Sequence, residues 1–222
     1  MSKKRRMSAS EQLRQLMLRL GGEIDSHDLE QLRVPDSNAA EAADALAAEG
    51  QPVTLTNHGL RSYGFGALLG IREGRAFDAE VFYVASILHD IGLMPAFDRG
   101  GRFEDAGDAV TRELLAEVGW EAARAERAGK AIRDHWDGPE DESDVESLLL
   151  AYGTSVDVGG WRLDDFTPAT LQAFVDTAPR CGFKEHFVEL VEAKVARGGD
   201  PHLEAVATSG FAERVRSTRF AE

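Results

Sequence analysis

A single cysteine, Cys181, excludes an internal disulfide and any Cys-rich zinc module, so a bound metal would have to be held by His and carboxylates. No apolar run approaches the roughly 18 residues that a membrane span needs, and no signal-peptide stretch opens the chain. A cytoplasmic protein is therefore expected. Positive charge is scarce as well. Twenty-five Lys and Arg against 39 Asp and Glu leave −14 over 222 residues, a field that repels polyanions and argues against nucleic acid or an anionic membrane as the main ligand. A small-molecule substrate is favoured. The one basic run, Lys3-Lys4-Arg5-Arg6, reads as a solvated tail.

Clean period-two alternation is also missing, whereas period 3.6 recurs, which predicts an all-helical (all-α) chain of many short helices. Ser8 and Glu11 have capping-box spacing ahead of Leu13, Leu16, Met17 and Leu20, and Gly21-Gly22 ends that run. A second helix opens near Ser37 and stops at Gly50 and Pro52. Others are predicted over 57–71, from Asp78 to His89, and over 104–118 and 121–135. A further capping box at Ser143 and Glu146 opens a helix through Val156. Thr167-Pro168 reads as N-cap and N1, and two more helices follow at 183–197 and 202–216. Without repeats or linkers, residues 1–36 read as a basic tail with a helical extension and 37–222 as one domain. Its apolar C-terminal helices could pair two chains in a homo-oligomer.

His89-Asp90 alone means little, since six His and 18 Asp in 222 residues give roughly 0.5 such pairs by chance. Context separates it from His27-Asp28, which sits in a polar stretch and reads as surface. His89-Asp90 ends the apolar run Val81–Leu88, where an imidazole and a carboxylate side by side need partners, and a cation would serve both. His58 opens its helix on a face shared with Arg61, Ser62 and Phe65. Asp157 ends another apolar run. His135 precedes the turn Trp136-Asp137-Gly138-Pro139. Singly these read as a cap, an N–H acceptor and a cation at a helix C-terminus.

Taken in order, His58, His89-Asp90 and Asp157 resemble the signature of the HD-domain metalloenzyme superfamily, an all-helical fold, with intervals of 31 and 67 residues. Asn57-His58-Gly59-Leu60-Arg61-Ser62-Tyr63, Leu88–Leu93, Arg102-Phe103-Glu104, Ala131-Ile132 with His135, Ser155–Gly159 and Pro179–Lys184 resemble the cyanamide hydratase-like branch over residues 40–190. Departures are Gly59, where the branch more often has Ser, and Asp134, where it has an aliphatic residue. The resemblance implies a single HD-domain helical bundle in which His58, His89, Asp90 and Asp157 bind one divalent ion. Zinc comes first, with iron, manganese or nickel as alternatives.

The activity so implied is addition of metal-activated water to a small polarised carbon, cyanamide to urea. In it His135 would donate a proton or orient substrate, Arg61 would clamp Asp90 or polarise the substrate, and Glu104 would orient His135 or the water. Asn57, Phe103 and Trp136 are expected pocket walls. The alternative is hydrolysis of a nucleotide or other phosphate ester, with Arg61, Arg133 and His135 neutralising phosphate. Its weakness is that no Lys or Arg lies between Phe77 and Gly92. A degenerate domain that binds a ligand or partner without catalysis is the third reading.

Overall fold

The computed structural model describes residues 9–20, 32 and 35–220. The basic run, Ser8, Gly21-Gly22 and the His27-Asp28 pair lie outside the described residues. Among those described the fold is all-α, with no strand: α1 (Ala9–Leu20), α2 (Asn38–Gly50), α3 (Val53–Arg72), α4 (Ala79–Leu88), α5 (Phe103–Glu117), α6 (Ala122–Asp134), α7 (Val145–Gly159), α8 (Pro168–Thr177), α9 (Phe183–Arg197), α10 (Pro201–Thr208) and α11 (Phe211–Arg216). Short 3₁₀ turns fill Ile91–Leu93 and Leu163–Asp165. None of these helices is long and apolar enough to cross a membrane.

Helix α3 is the axis of the bundle, buried on every side from Thr54 to Ile71. It packs most extensively on α7 and also meets α4, while α6 lies against α4, α5 and α7. Small residues make the crossings possible. A Cβ on Gly153 of α7 would stand 1.9 Å from the Ser62 carbonyl oxygen of α3, and one on Gly59 of α3 would stand 2.5 Å from the Ser86 carbonyl oxygen of α4. These are backbone contacts that no rotamer change relieves, so the three helices approach as only glycine allows. At Gly59 it is α4 that leaves no room for a side chain.

Some helix starts follow side-chain chemistry. Ser37 accepts from the Ala40 N–H, Asp78 from those of Glu80 and Val81, and Thr167 from that of Thr170, each satisfying a donor that an α-helix leaves free at its start. Three expectations differ. Helix α3 begins four residues earlier than predicted, because burial of Thr54 to Asn57 overrides the weak helix propensity of β-branched residues. Ser143 does not cap α7, since Glu146 instead accepts from the Asp78 N–H at 2.7 Å and from Arg127 at 2.6 Å. The helix expected over 202–216 is two, α10 and α11, parted at Gly210 with φ +81°.

Two apolar clusters result. The larger is built on α2, α3, α4, α6 and α7, and the smaller gathers Leu55, Phe103, Phe183, Phe187, Val191 and Phe211 around α9. The segment between Leu93 and Phe103 docks on α9. Asp98 accepts from fully buried Lys194 at 2.8 Å and from Arg197 at 2.7 Å, and Arg197 also donates to the Leu93 carbonyl at 2.8 Å. Burial opposes the charge on Asp98, but Lys194 and Arg197 outweigh it and hold its carboxyl down to about 2. A carboxyl depressed in the folded state stabilises it fully above the unfolded value of about 3.9, and that contribution is lost as pH falls toward the folded value. Asp98→Asn is therefore expected to lower stability at pH 7 and to flatten the loss of stability between about pH 4 and 2, read by urea unfolding at each pH. Parallel pH curves for the two proteins would contradict it.

Candidate metal centre

Four elements aim side chains at one buried point between the two clusters. His58 stands on the second turn of α3, His89 is the C-terminal cap of α4, Asp90 follows it and opens the 3₁₀ turn, and His135 is the C-terminal cap of α6. The two capping histidines use the same local device. The last carbonyls of a helix lack intrahelical partners, and each imidazole donates its Nδ1–H to the carbonyl three residues back, His89 to Ser86 at 2.8 Å and His135 to Ile132 at 2.7 Å. His58 Nδ1 lies 2.7 Å from Asp157 Oδ2. A carbonyl or an ionised carboxylate can only accept, so in all three rings Nδ1 carries the proton, and a neutral ring then presents a lone pair at Nε2; burial opposes a charge on His89, but Asp90 beside it raises its pKa.

Those three Nε2 atoms face one carboxylate. His89 Nε2 is 3.2 Å and His58 Nε2 is 3.6 Å from Asp90 Oδ2, and His135 Nε2 is 3.9 Å from Asp90 Oδ1. Ligand atoms of His58, His89 and Asp90 all lie within 4.8 Å of one another. His89 Nε2 and both Asp90 oxygens are buried without a hydrogen-bond partner, the 3.2 Å contact being too poorly aligned to count as one. Buried acceptors facing each other with no donor between them are costly. A cation resolves the conflict, and the Nδ1 contacts are the outer-shell acceptors that metal-ligating imidazoles require. The donor set therefore fits a divalent ion.

Burial, with the neighbouring His89, lowers the His135 pKa to about 3. Burial likewise lowers that of His58 despite Asp157. Burial works against the Asp90 charge, but the imidazoles, His89 foremost, hold its carboxyl down to about 2. At neutral pH burial thus favours the neutral His135 ring, with Nε2 toward Asp90.

Asp157, expected as a ligand, is placed on the other side of the His58 ring. Its oxygens accept from His58, from Arg61 Nε and Nη2 at 2.7 and 2.8 Å, and from Arg180 Nη1 at 2.7 Å. All three residues of this Arg61–Asp157–Arg180 clamp are buried. Burial opposes the charge on Asp157, yet the two guanidinium groups hold its carboxyl well below the usual range. Arg61 therefore grips Asp157 instead of Asp90, and its remaining donor goes to the Ala178 carbonyl at 2.7 Å.

Three other expected site residues also lie off the centre. Glu104 pairs with Arg102 at 2.9 Å, away from His135. Asn57 donates to the Pro179 carbonyl at 2.7 Å. Phe103 is fully buried, its ring 5.8 Å from that of His135 and 5.9 Å from that of Trp136. None of these three lines the cavity that reaches the cluster, whereas Trp136 does.

Three contributors were missed. Arg180 reaches Asp157 from the loop after α8, where Cys181 and Gly182 take φ of 55° and 76°. Phe183 stacks on His58 at 4.7 Å, and Phe187, one helical turn later, lies 5.7 Å from it. The i, i+4 spacing of the two Phe on α9 was the available signal.

The cavity has a volume of about 670 Å³ and runs from His58, His89, Asp90 and His135 outward between α7 and α11. No residue of the 93–104 segment lines it. No family model matches this chain, and no curated protein matches it significantly. Asp157→Asn would leave two buried guanidinium groups short of their counter-charge. It is expected to destabilise the fold by about 3–5 kcal/mol, measured as the shift in urea unfolding at pH 7. A loss below about 1 kcal/mol would show that the clamp is not a buried ion pair.

Proposed function

We propose that this protein is a metal-dependent enzyme that adds water to a small polarised carbon centre, the activity implied by its resemblance to cyanamide hydratase-like HD proteins. What supports the reading is the meeting of three Nε2 atoms with the buried Asp90 carboxylate, where His89 Nε2 and both Asp90 oxygens have no hydrogen-bond partner. His58, His89, Asp90 and His135 would hold the ion, and three imidazoles with one carboxylate suit zinc, with iron, manganese or nickel as alternatives. When bound, such a cation polarises a substrate and brings the pKa of its water toward neutrality.

The chain's own residues prepare that point. The Ser86 and Ile132 carbonyls and Asp157 fix the tautomers of the three rings. Arg61 and Arg180 keep Asp157 ionised, so that it holds the His58 proton on Nδ1. Phe183 covers one face of His58, while Phe187 and Trp136 give the cavity an apolar wall that limits water at the cluster.

The phosphate-ester alternative has less to stand on. Arg61 is spent on Asp157, and Arg133 pairs with Asp108 and Glu126. The basic residue on the cavity wall, Arg214, donates to the Ser209 carbonyl and hydroxyl. An uncharged nitrile carbon needs no such cations.

Metal analysis of purified wild type, Asp90→Ala and His135→Ala, beside urea formation from cyanamide, tests the proposal. Wild type is expected to hold close to one equivalent of metal and to make urea. Both variants are expected to lose at least tenfold in metal affinity and in activity. If His135→Ala keeps its metal but not its activity, His135 is a proton donor after all. Wild type that binds no metal even on reconstitution would defeat the reading.

A further inference from the structure

We infer that the outer part of the cavity is a subsite for an uncharged aromatic or apolar tail, so that the substrate is an organic nitrile larger than cyanamide. This rests on the water-addition reading and names its substrate class. Cyanamide has three heavy atoms and fills no more than roughly 90 Å³, taking for each about 30 Å³, a water's share of liquid volume. The cavity, at about 670 Å³, is sized for a far larger molecule.

Its long wall is a face of α7 on which Leu148, Tyr152, Ser155 and Gly159 recur at helical spacing, about 16 Å of helix at 1.5 Å per residue. This face borders the cavity, and Trp161, 44% exposed, folds back so that its ring lies 5.0 Å from that of Tyr152.

At this end Asp137 meets Arg102 and His202, and Glu142 meets Arg75, whereas Arg214 donates to the Ser209 carbonyl and hydroxyl. The rest of the wall, with Trp136, Tyr152, Trp161, Phe187 and Phe211, is mainly aromatic and aliphatic, which selects an apolar tail. Water adding across such a nitrile forms a C–O bond at carbon and delivers both protons to nitrogen through the C–N π electrons. The product is the carboxamide, and nothing is released.

Binding and turnover are measured separately on the metal-loaded full chain. Benzonitrile and benzamide are titrated against tryptophan fluorescence, and amide formation from benzonitrile is compared with urea formation from cyanamide. Saturable binding and a kcat/KM for benzonitrile at least tenfold above that for cyanamide are expected. Trp161→Ala should weaken binding at least fivefold. A Cβ at Gly159 meets nothing within 4 Å, so Gly159→Phe should fold, fill the channel and shift the preference toward cyanamide at least tenfold. Hydration of cyanamide without binding or turnover of benzonitrile would overturn the inference and leave the reading standing. Binding of benzamide that Trp161→Ala abolishes, with neither nitrile hydrated, would keep the subsite and defeat the reading.

Discussion

The carboxylate of Asp90 and the three imidazole Nε2 atoms around it are gathered at the buried end of the cavity, at distances of 3.2 to 3.9 Å. The Nδ1 protons of the three rings are already committed elsewhere. The Nδ1–H groups point outward, to two carbonyls and to Asp157. The rest of the core can be understood as the apparatus that keeps this cluster in place. Buried and unsatisfied, it would cost several kcal/mol, a burden that folds keep at functional sites.

The apparatus is made of ordinary parts. Two helices end on histidines that turn back to close the last turn, and that closure swings the far nitrogen toward the centre. A third helix, buried on all sides, brings His58 into the middle of the bundle, and glycines at its crossings let α4 and α7 approach within backbone contact. The Ser86 carbonyl serves both purposes at once, since it lies over Gly59 and accepts from His89. Packing and the cluster are therefore coupled at Gly59: a side chain there would push on the group that orients the His89 imidazole beside Asp90.

Much of this was legible beforehand. Periodicity revealed the helices, and Asp78 and Thr167 announced their caps by residue type and position. His89-Asp90 stood out because an ionisable pair ended an apolar run. What a linear order conceals is which side of a ring a partner occupies. Asp157 and His58 do meet, but at Nδ1 rather than at the nitrogen facing Asp90. The His135 ring is likewise oriented by a carbonyl three residues back. Asn57, Phe103 and Glu104 adjoin important residues in sequence yet point elsewhere, into the Pro179 loop, the smaller core and the Arg102 pair. Arg180 lies in the resembling segment Pro179–Lys184, but its contact with Asp157, 23 residues earlier, is not visible in linear order.

The most direct test of the account is the number of imidazoles around the ion, read from X-ray absorption of the zinc-loaded protein. Three imidazole nitrogens and carboxylate oxygen in the inner shell, at bonds of about 2.0–2.2 Å, are predicted. That count should fall to two when His135 is replaced and stay at three when Asp157 is. Two imidazoles in the unaltered protein, or an inner shell that changes with Asp157 and not with His135, would contradict it.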